Sequence, residues 1–153
     1  MNIDKILFRG KIQKRERWVV GFYCPCVIKG FPADPCIIDS ENLKKGVWTP
    51  DRVVAETVGQ YAGLNDKNNT PIFDGDIARV RYEGKTYVGI IQNDAYAVFM
   101  FVARSLGWIP LHDLVSDADI EHHLAGNPLC LNAIEIVGNI TDDEIADFTE
   151  VVK

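Results

Sequence analysis

The chain has 153 residues, the size of one domain or of two small subdomains sharing a core, so a multidomain machine is excluded. With 47% hydrophobic and 25% charged residues it can bury a core and is not compositionally disordered. A net charge of −6 argues against a general nucleic-acid coat, which needs many lysines and arginines on one surface.

Short alternating runs bounded by turn residues dominate the chain and helical periodicity is rare, so the pattern predicts a mainly β protein. Strands are expected at 5–10, 17–23, 27–29, 36–39, 53–61, 76–82, 86–92, 96–103 and 133–140. The first residues carry no apolar stretch of signal-peptide length, and the longest apolar run, 95–103, is about half of what a membrane helix needs. A cytoplasmic chain with no membrane partner is the expectation.

Arg9, Lys11, Lys14, Arg15 and Arg17 crowd a predicted hairpin beside Trp18. Cys24, Cys26 and Cys36 follow. A zinc site would need a fourth ligand from a remote segment, and one residue between the first two cysteines is fewer than structural zinc knuckles use. Buried, inert thiols are the better expectation, and no metal or other cofactor is predicted. The stretch from 30 to 50 holds Pro32, Pro35 and Pro50 with one plausible strand, which makes 30–52 the candidate junction between two packed β subdomains.

Residues 65–71, Asn-Asp-Lys-Asn-Asn-Thr-Pro, predict a tight exposed turn. A calcium loop starting at Asp66 is excluded, because Pro71 and Ile77 stand where it needs Gly and Glu. Glu83-Gly84 joins two alternating segments and predicts a hairpin with Gly in the left-handed region. Ser116 can cap a helix over 117–125, which Gly126 ends. Thr141 and Glu144 form a capping-box pattern opening an amphipathic tail with Ile145, Phe148 and Val152.

The charge is segregated along the chain. Residues 1–52 hold ten cations against six acids, 53–104 five against six, and 105–153 one against ten, giving +4, −1 and −9. Three readings follow: solvated faces that pair within the monomer; head-to-tail assembly, in which the basic N-terminal edge of one copy meets the acidic tail of the next; or a nucleic-acid contact with Trp18 as stacking platform.

No phosphate-cradling glycine loop, metalloprotease helix or nucleophile elbow occurs. Asp74-Gly75-Asp76 could hold a cation or share a proton, but directly before a strand Asp-Gly has a backbone reason to be present. His112-Asp113 is an acid/base candidate with no nucleophile in evidence, and neighbours in sequence rarely make the required hydrogen bond. The chain is therefore expected not to be an enzyme.

Residues 56–68, Glu-Thr-Val-Gly-Gln-Tyr-Ala-Gly-Leu-Asn-Asp-Lys-Asn, running into Pro71-Ile72-Phe73-Asp74-Gly75-Asp76-Ile77, resemble the YopX family of phage and prophage proteins. Phe8-Arg9-Gly10 leading to Trp18 and Gly21-Phe22-Tyr23, and 134–140 at the other end, agree with it, so the resemblance spans 5–140. Asn69 replaces a usual Gly, and Phe73-Asp74 replaces Tyr-Glu. The resemblance implies a mainly β protein of a bacterial phage or prophage, with a small, partly open, SH3-like barrel portion, a second small β subdomain and two short helices. It implies an accessory role with no catalytic residues: binding to an unknown phage or host protein, or self-assembly as a homo-oligomer. The alternative is a nucleic-acid-associated module using the hairpin at 9–18. In the motif, Gly59 and Gly63 read as turn or close-approach glycines and Tyr61 and Leu64 as core anchors. Gln60 can satisfy backbone groups, and Asp66, Asn68, Gly75 and Asp76 read as turn formers.

Overall fold

The computed structural model describes residues 7–26, 34–94 and 98–143, with side chains for all but 25, 26 and 34. The expected strand 27–29 and the tail beyond 143 lie outside the described residues. The chain divides into two compact units, 1–61 and 62–153; the expected junction at 30–52 falls within the span of the first.

In the first unit, alternation of small and β-branched residues builds one antiparallel sheet. Strand β1 (Phe8–Lys11) pairs β2 (Trp18–Cys26), from Phe8 opposite Gly21 to Lys11 opposite Trp18. On the far side of β2 lie β3 (Asp34–Asp39) and then β4 (Asp51–Arg52), while the start of β5 (Gly59–Asp66) pairs β1. Ile12, Val19, Ile37 and Val53 form the core, with Phe8 and Val58 against it. Gly21 is obligatory, because a Cβ there would run into the carbonyl of Ile38.

Two expectations change here. The stretch read as irregular holds a short helix, α1 (Ser40–Lys44), because Asp39 Oδ1 accepts from the backbone N–H groups of Glu41 (2.9 Å) and Asn42 (3.1 Å). The expected strand 53–61 is interrupted. Thr57 Oγ1 accepts from Lys11 N (2.8 Å) and donates to Val54 O (2.6 Å), which turns 55–57 into a 3₁₀ helix before the strand starts at Gly59.

The second unit holds a five-stranded antiparallel sheet of β7 (Asp76–Tyr82), β8 (Lys85–Asn93), β9 (Phe99–Ala103), β10 (Gly107–Pro110) and β12 (Ile134–Asn139), in the order β10-β9-β8-β7-β12. Glu83 (φ 47°) and Gly84 (φ 74°) are both left-handed, as a two-residue hairpin with the sheet's own twist requires. Two short strands, β6 (Pro71–Phe73) and β11 (Cys130–Leu131), pair with β5, the latter in parallel. Helix α2 (Asp117–Leu124) starts at Ser116 as expected. Phe101, Ile91, Ile72, Leu131 and Ile134 are fully buried, and the 3₁₀ turn Leu111–Leu114 adds both of its leucines to this core.

The fold is therefore mainly β with two sheets and two short helices, and no closed barrel forms among the described residues. Among those residues no helix is long and apolar enough to cross a membrane.

Gly89 makes the same kind of close approach as Gly21, since a Cβ there would meet the carbonyl of Val102 on β9. Gly89→Ala is expected to cost about 1–3 kcal/mol by forcing β8 and β9 apart. A lowered urea midpoint is the expected reading; an unchanged one would show that the two strands separate freely.

Candidate functional site

The motif at 59–77 is held by its carboxylates. Asp66 is only 1% exposed. Its Oδ1 accepts from the N–H groups of Asn68 (2.8 Å) and Thr70 (2.9 Å), and its Oδ2 accepts from Ile136 N (2.9 Å) on β12. Lys67 N donates to Ile134 O (2.9 Å), and Asn69 takes the left-handed conformation (φ 62°) that the reversal needs. Asp76, also 1% exposed, accepts from Phe73 N (2.8 Å) across a turn in which Gly75 has φ 89°. Asp74 Oδ1 accepts from Asn93 N (3.2 Å). Both acids of Asp74-Gly75-Asp76 thus serve the backbone. Leu64 packs on the second unit's core, Tyr61 N donates to Leu7 O (2.7 Å), Gly59 and Gln60 pair with Arg9 and Phe8, and Gly63 is left-handed (φ 79°).

The basic hairpin is ordered by its own register. Lys11 faces Trp18 across the strands, Arg9 lies two residues along on the same face, and its guanidinium stands 5.0 Å from the Trp18 ring centroid. The tip is closed by Ile12 N donating to Arg17 O (2.9 Å), with Lys14 left-handed (φ 62°). Gln13 N donates to Arg52 O (2.9 Å), which brings a further arginine alongside. Lys14, Arg15 and Arg17 are exposed and make no ion pair among the described residues; Glu16 is the one acid between them.

Among the cysteines, Cys24 lies opposite Cys36, with Cys36 buried and Cys24 half-buried. Cys26 sits on β2 with its side chain outside the described residues. No group of three or more His, Cys, Asp or Glu suited to a metal occurs among the described residues.

Sequence reasoning did not find the polar cluster of the second unit. A cleft of about 620 Å³ is lined by Lys67, Asn69, Asp119, His122, Cys130 and Asn132, among others. Asp119, 2% exposed, accepts from Ser116 N (3.0 Å) and from Asn132 Nδ2 (2.7 Å). The Ser116-x-x-Asp119 capping spacing was visible in the sequence, whereas the reach to Asn132 was not. Lys67 Nζ lies 3.0 Å from Glu135, and Arg79 Nη1 donates to Glu135 over 3.2 Å. The hydrogen bond from Lys67 outweighs the opposing effect of burial and, with the charge of Lys67 and the contribution of Arg79, holds the Glu135 carboxyl below its ordinary range. Cys130 Sγ donates to Asn69 Oδ1 (3.4 Å), and burial, with the charges of Asp66 and Asp119, pushes its thiol up, the wrong direction for a nucleophile. His112 and Asp113 do pair, at 3.0 Å, contrary to the expectation for sequence neighbours, but both are exposed, and no hydroxyl or thiol contacts the histidine among the described residues.

A family model described as YopX protein matches residues 8–144. No curated protein and no solved structure matches the chain.

Asp66→Ala is expected to lower the unfolding free energy by about 3 kcal/mol, because it orphans Ile136 N–H and two turn donors together; urea denaturation measures it, and a loss under half of this would refute the bridging role. Glu135 has a lowered folded pKa, so its contribution is present above the ordinary carboxylate range and fades as pH falls through the folded value. The wild-type advantage over Glu135→Gln, at most about 1 kcal/mol for so exposed a network, should appear at neutral pH and vanish in acid.

Proposed function

The chain belongs to the YopX protein family, and on that premise we propose that it is a non-enzymatic binding module of a phage or prophage, acting in the bacterial cytoplasm, whose contact element is the β1–β2 hairpin and whose partner is an acidic protein surface. The observation that carries this reading is the hairpin tip, where Lys14, Arg15 and Arg17 are exposed without ion pairs among the described residues. A two-stranded scaffold closed by the Ile12–Arg17 bond fixes the backbone that presents these cations, so little ordering entropy is lost when a partner arrives.

An acidic partner surface is available within the sequence itself. Residues 105–153 carry −9, so a second copy supplies the complementary charge in a head-to-tail contact, and an acidic phage or host protein would be held by the same cations. The nucleic-acid reading uses the same tip with Trp18 as a stacking platform. It is the weaker of the two, because the Arg9 guanidinium already lies over that ring.

Replacing Lys14, Arg15 and Arg17 together by Glu is expected to abolish a salt-sensitive increase in mass with concentration in light scattering, while the urea midpoint of these exposed positions stays within about 0.5 kcal/mol of wild type. Wild-type protein that stays monomeric at low salt would remove the self-assembly form of the proposal. Retention on single-stranded DNA that the triple variant loses would replace it with the nucleic-acid reading.

A further inference from the structure

The five-stranded sheet of the second unit has two faces, and one of them meets the core, through Phe101, Ala103, Ile109, Ile91, Ala78 and Val80. Side chains alternate along a strand, so their neighbours Met100, Val102, Trp108, Ile90, Arg79 and Arg81 lie on the opposite face. The register sets four residues of that face in one row: Trp108 stands opposite Val102, Val102 opposite Ile90, and Ile90 opposite Ile77. Exposure rises along the row, from Ile77 with no exposed surface, through half-buried Ile90 and Val102, to Trp108 at 64%. The outward face of an antiparallel sheet is ordinarily polar. Here its centre is aliphatic and its margin is an indole over which no cation lies among the described residues.

The charge of this face is positive, in a chain whose net charge is −6. Its strands contribute Arg79 and Arg81 and one carboxylate, Glu135, which Arg79 shares with Lys67. Arg81 is exposed, and so is Arg104 in the reversal that joins β9 to β10; neither makes an ion pair among the described residues. Three strand spacings, about 14 Å, separate β10 from β7, so the indole and the arginines form a strip.

We propose that this face binds single-stranded nucleic acid: a base stacks on Trp108, and Arg79, Arg81 and Arg104 hold phosphates of the strand that crosses it. Guanidinium forks suit phosphates and carboxylates alike. The ring decides between them, because an open indole accepts the flat face of any base, whereas the apolar anchors of a protein partner bury themselves in pockets. The strip belongs to a different unit from the β1–β2 hairpin, where Arg9 already lies over Trp18. With so few cations, the acidic balance of the whole chain keeps the affinity modest and strongly salt-dependent.

The test is fluorescence anisotropy of a fluorescein-labelled thymidine dodecanucleotide titrated with the full chain from about 20 to about 200 mM salt, with a uridine strand in parallel. Binding is expected with a log–log salt slope of about −2, the value for three neutralised phosphates on a single strand. Trp108→Ala should weaken it about tenfold, and Trp108→Phe should recover most of that loss. Arg81→Ala with Arg104→Ala should flatten the slope to about −0.7. Replacing Lys14, Arg15 and Arg17 by Ala should leave the affinity within about threefold of wild type. Urea midpoints check that each variant, all at exposed positions, is folded. No anisotropy change at the lowest salt, a Trp108→Ala chain that binds like wild type, or loss of binding in the hairpin variant would overturn the proposal. So would a wild-type dimer in light scattering that Trp108→Ala dissolves, since a second copy would then occupy the face. Binding of both strands would place recognition in base and phosphate alone, binding of one would identify the source, and either supports the site.

Discussion

The second unit depends on a carboxylate taken out of water and repaid entirely by backbone donors. Asp66 joins two things that sequence distance keeps apart: the reversal at 66–70 and strand β12, reached through Ile136 N seventy positions on. A carboxyl group at 1% exposure needs hydrogen-bond donors to replace water, and here three backbone N–H groups supply them. Where this carboxylate sits, the turn, the start of β6 and the outer side of β12 are positioned together.

The same solution recurs. Asp76 accepts from Phe73 N at the start of β7, and Asp119 ties the first turn of α2 to Asn132 ahead of β12. Short strands leave many chain reversals, each reversal leaves orphaned donors, and a small acid reaches them within two to four residues. In the motif at 59–77 the carboxylates are thereby engaged by backbone donors of the fold itself. On the β1–β2 hairpin, by contrast, the tip cations Lys14, Arg15 and Arg17 are exposed.

Features fixed within a few residues were legible in the sequence. The strand at 76–82, the left-handed Gly84 and the cap at Ser116 each follow from local sterics or a single side chain. The break in 53–61 was not legible, because its cause is a hydrogen bond between Thr57 and Lys11, 46 residues away. Strands of two to four residues, such as β6, β10 and β11, give too few alternations to register against turn-rich surroundings. The opposition of Cys24 and Cys36 depends on the register of β2 against β3, which composition does not encode. The partnership of Glu135 with Lys67 and Arg79 emerges only once β12 lies beside β7.

The turn at 66–70 also settles how far the five-stranded sheet can extend. By taking Ile136 N and giving Lys67 N to Ile134 O, it occupies hydrogen-bonding groups on the outer side of β12 that another strand would otherwise use as a template. At the opposite end of the order, β10 is four residues long and finishes in Pro110, which has no donor to offer. Among the described residues the sheet is thus occupied at one margin and short at the other, an arrangement that disfavours the addition of a further strand at either edge.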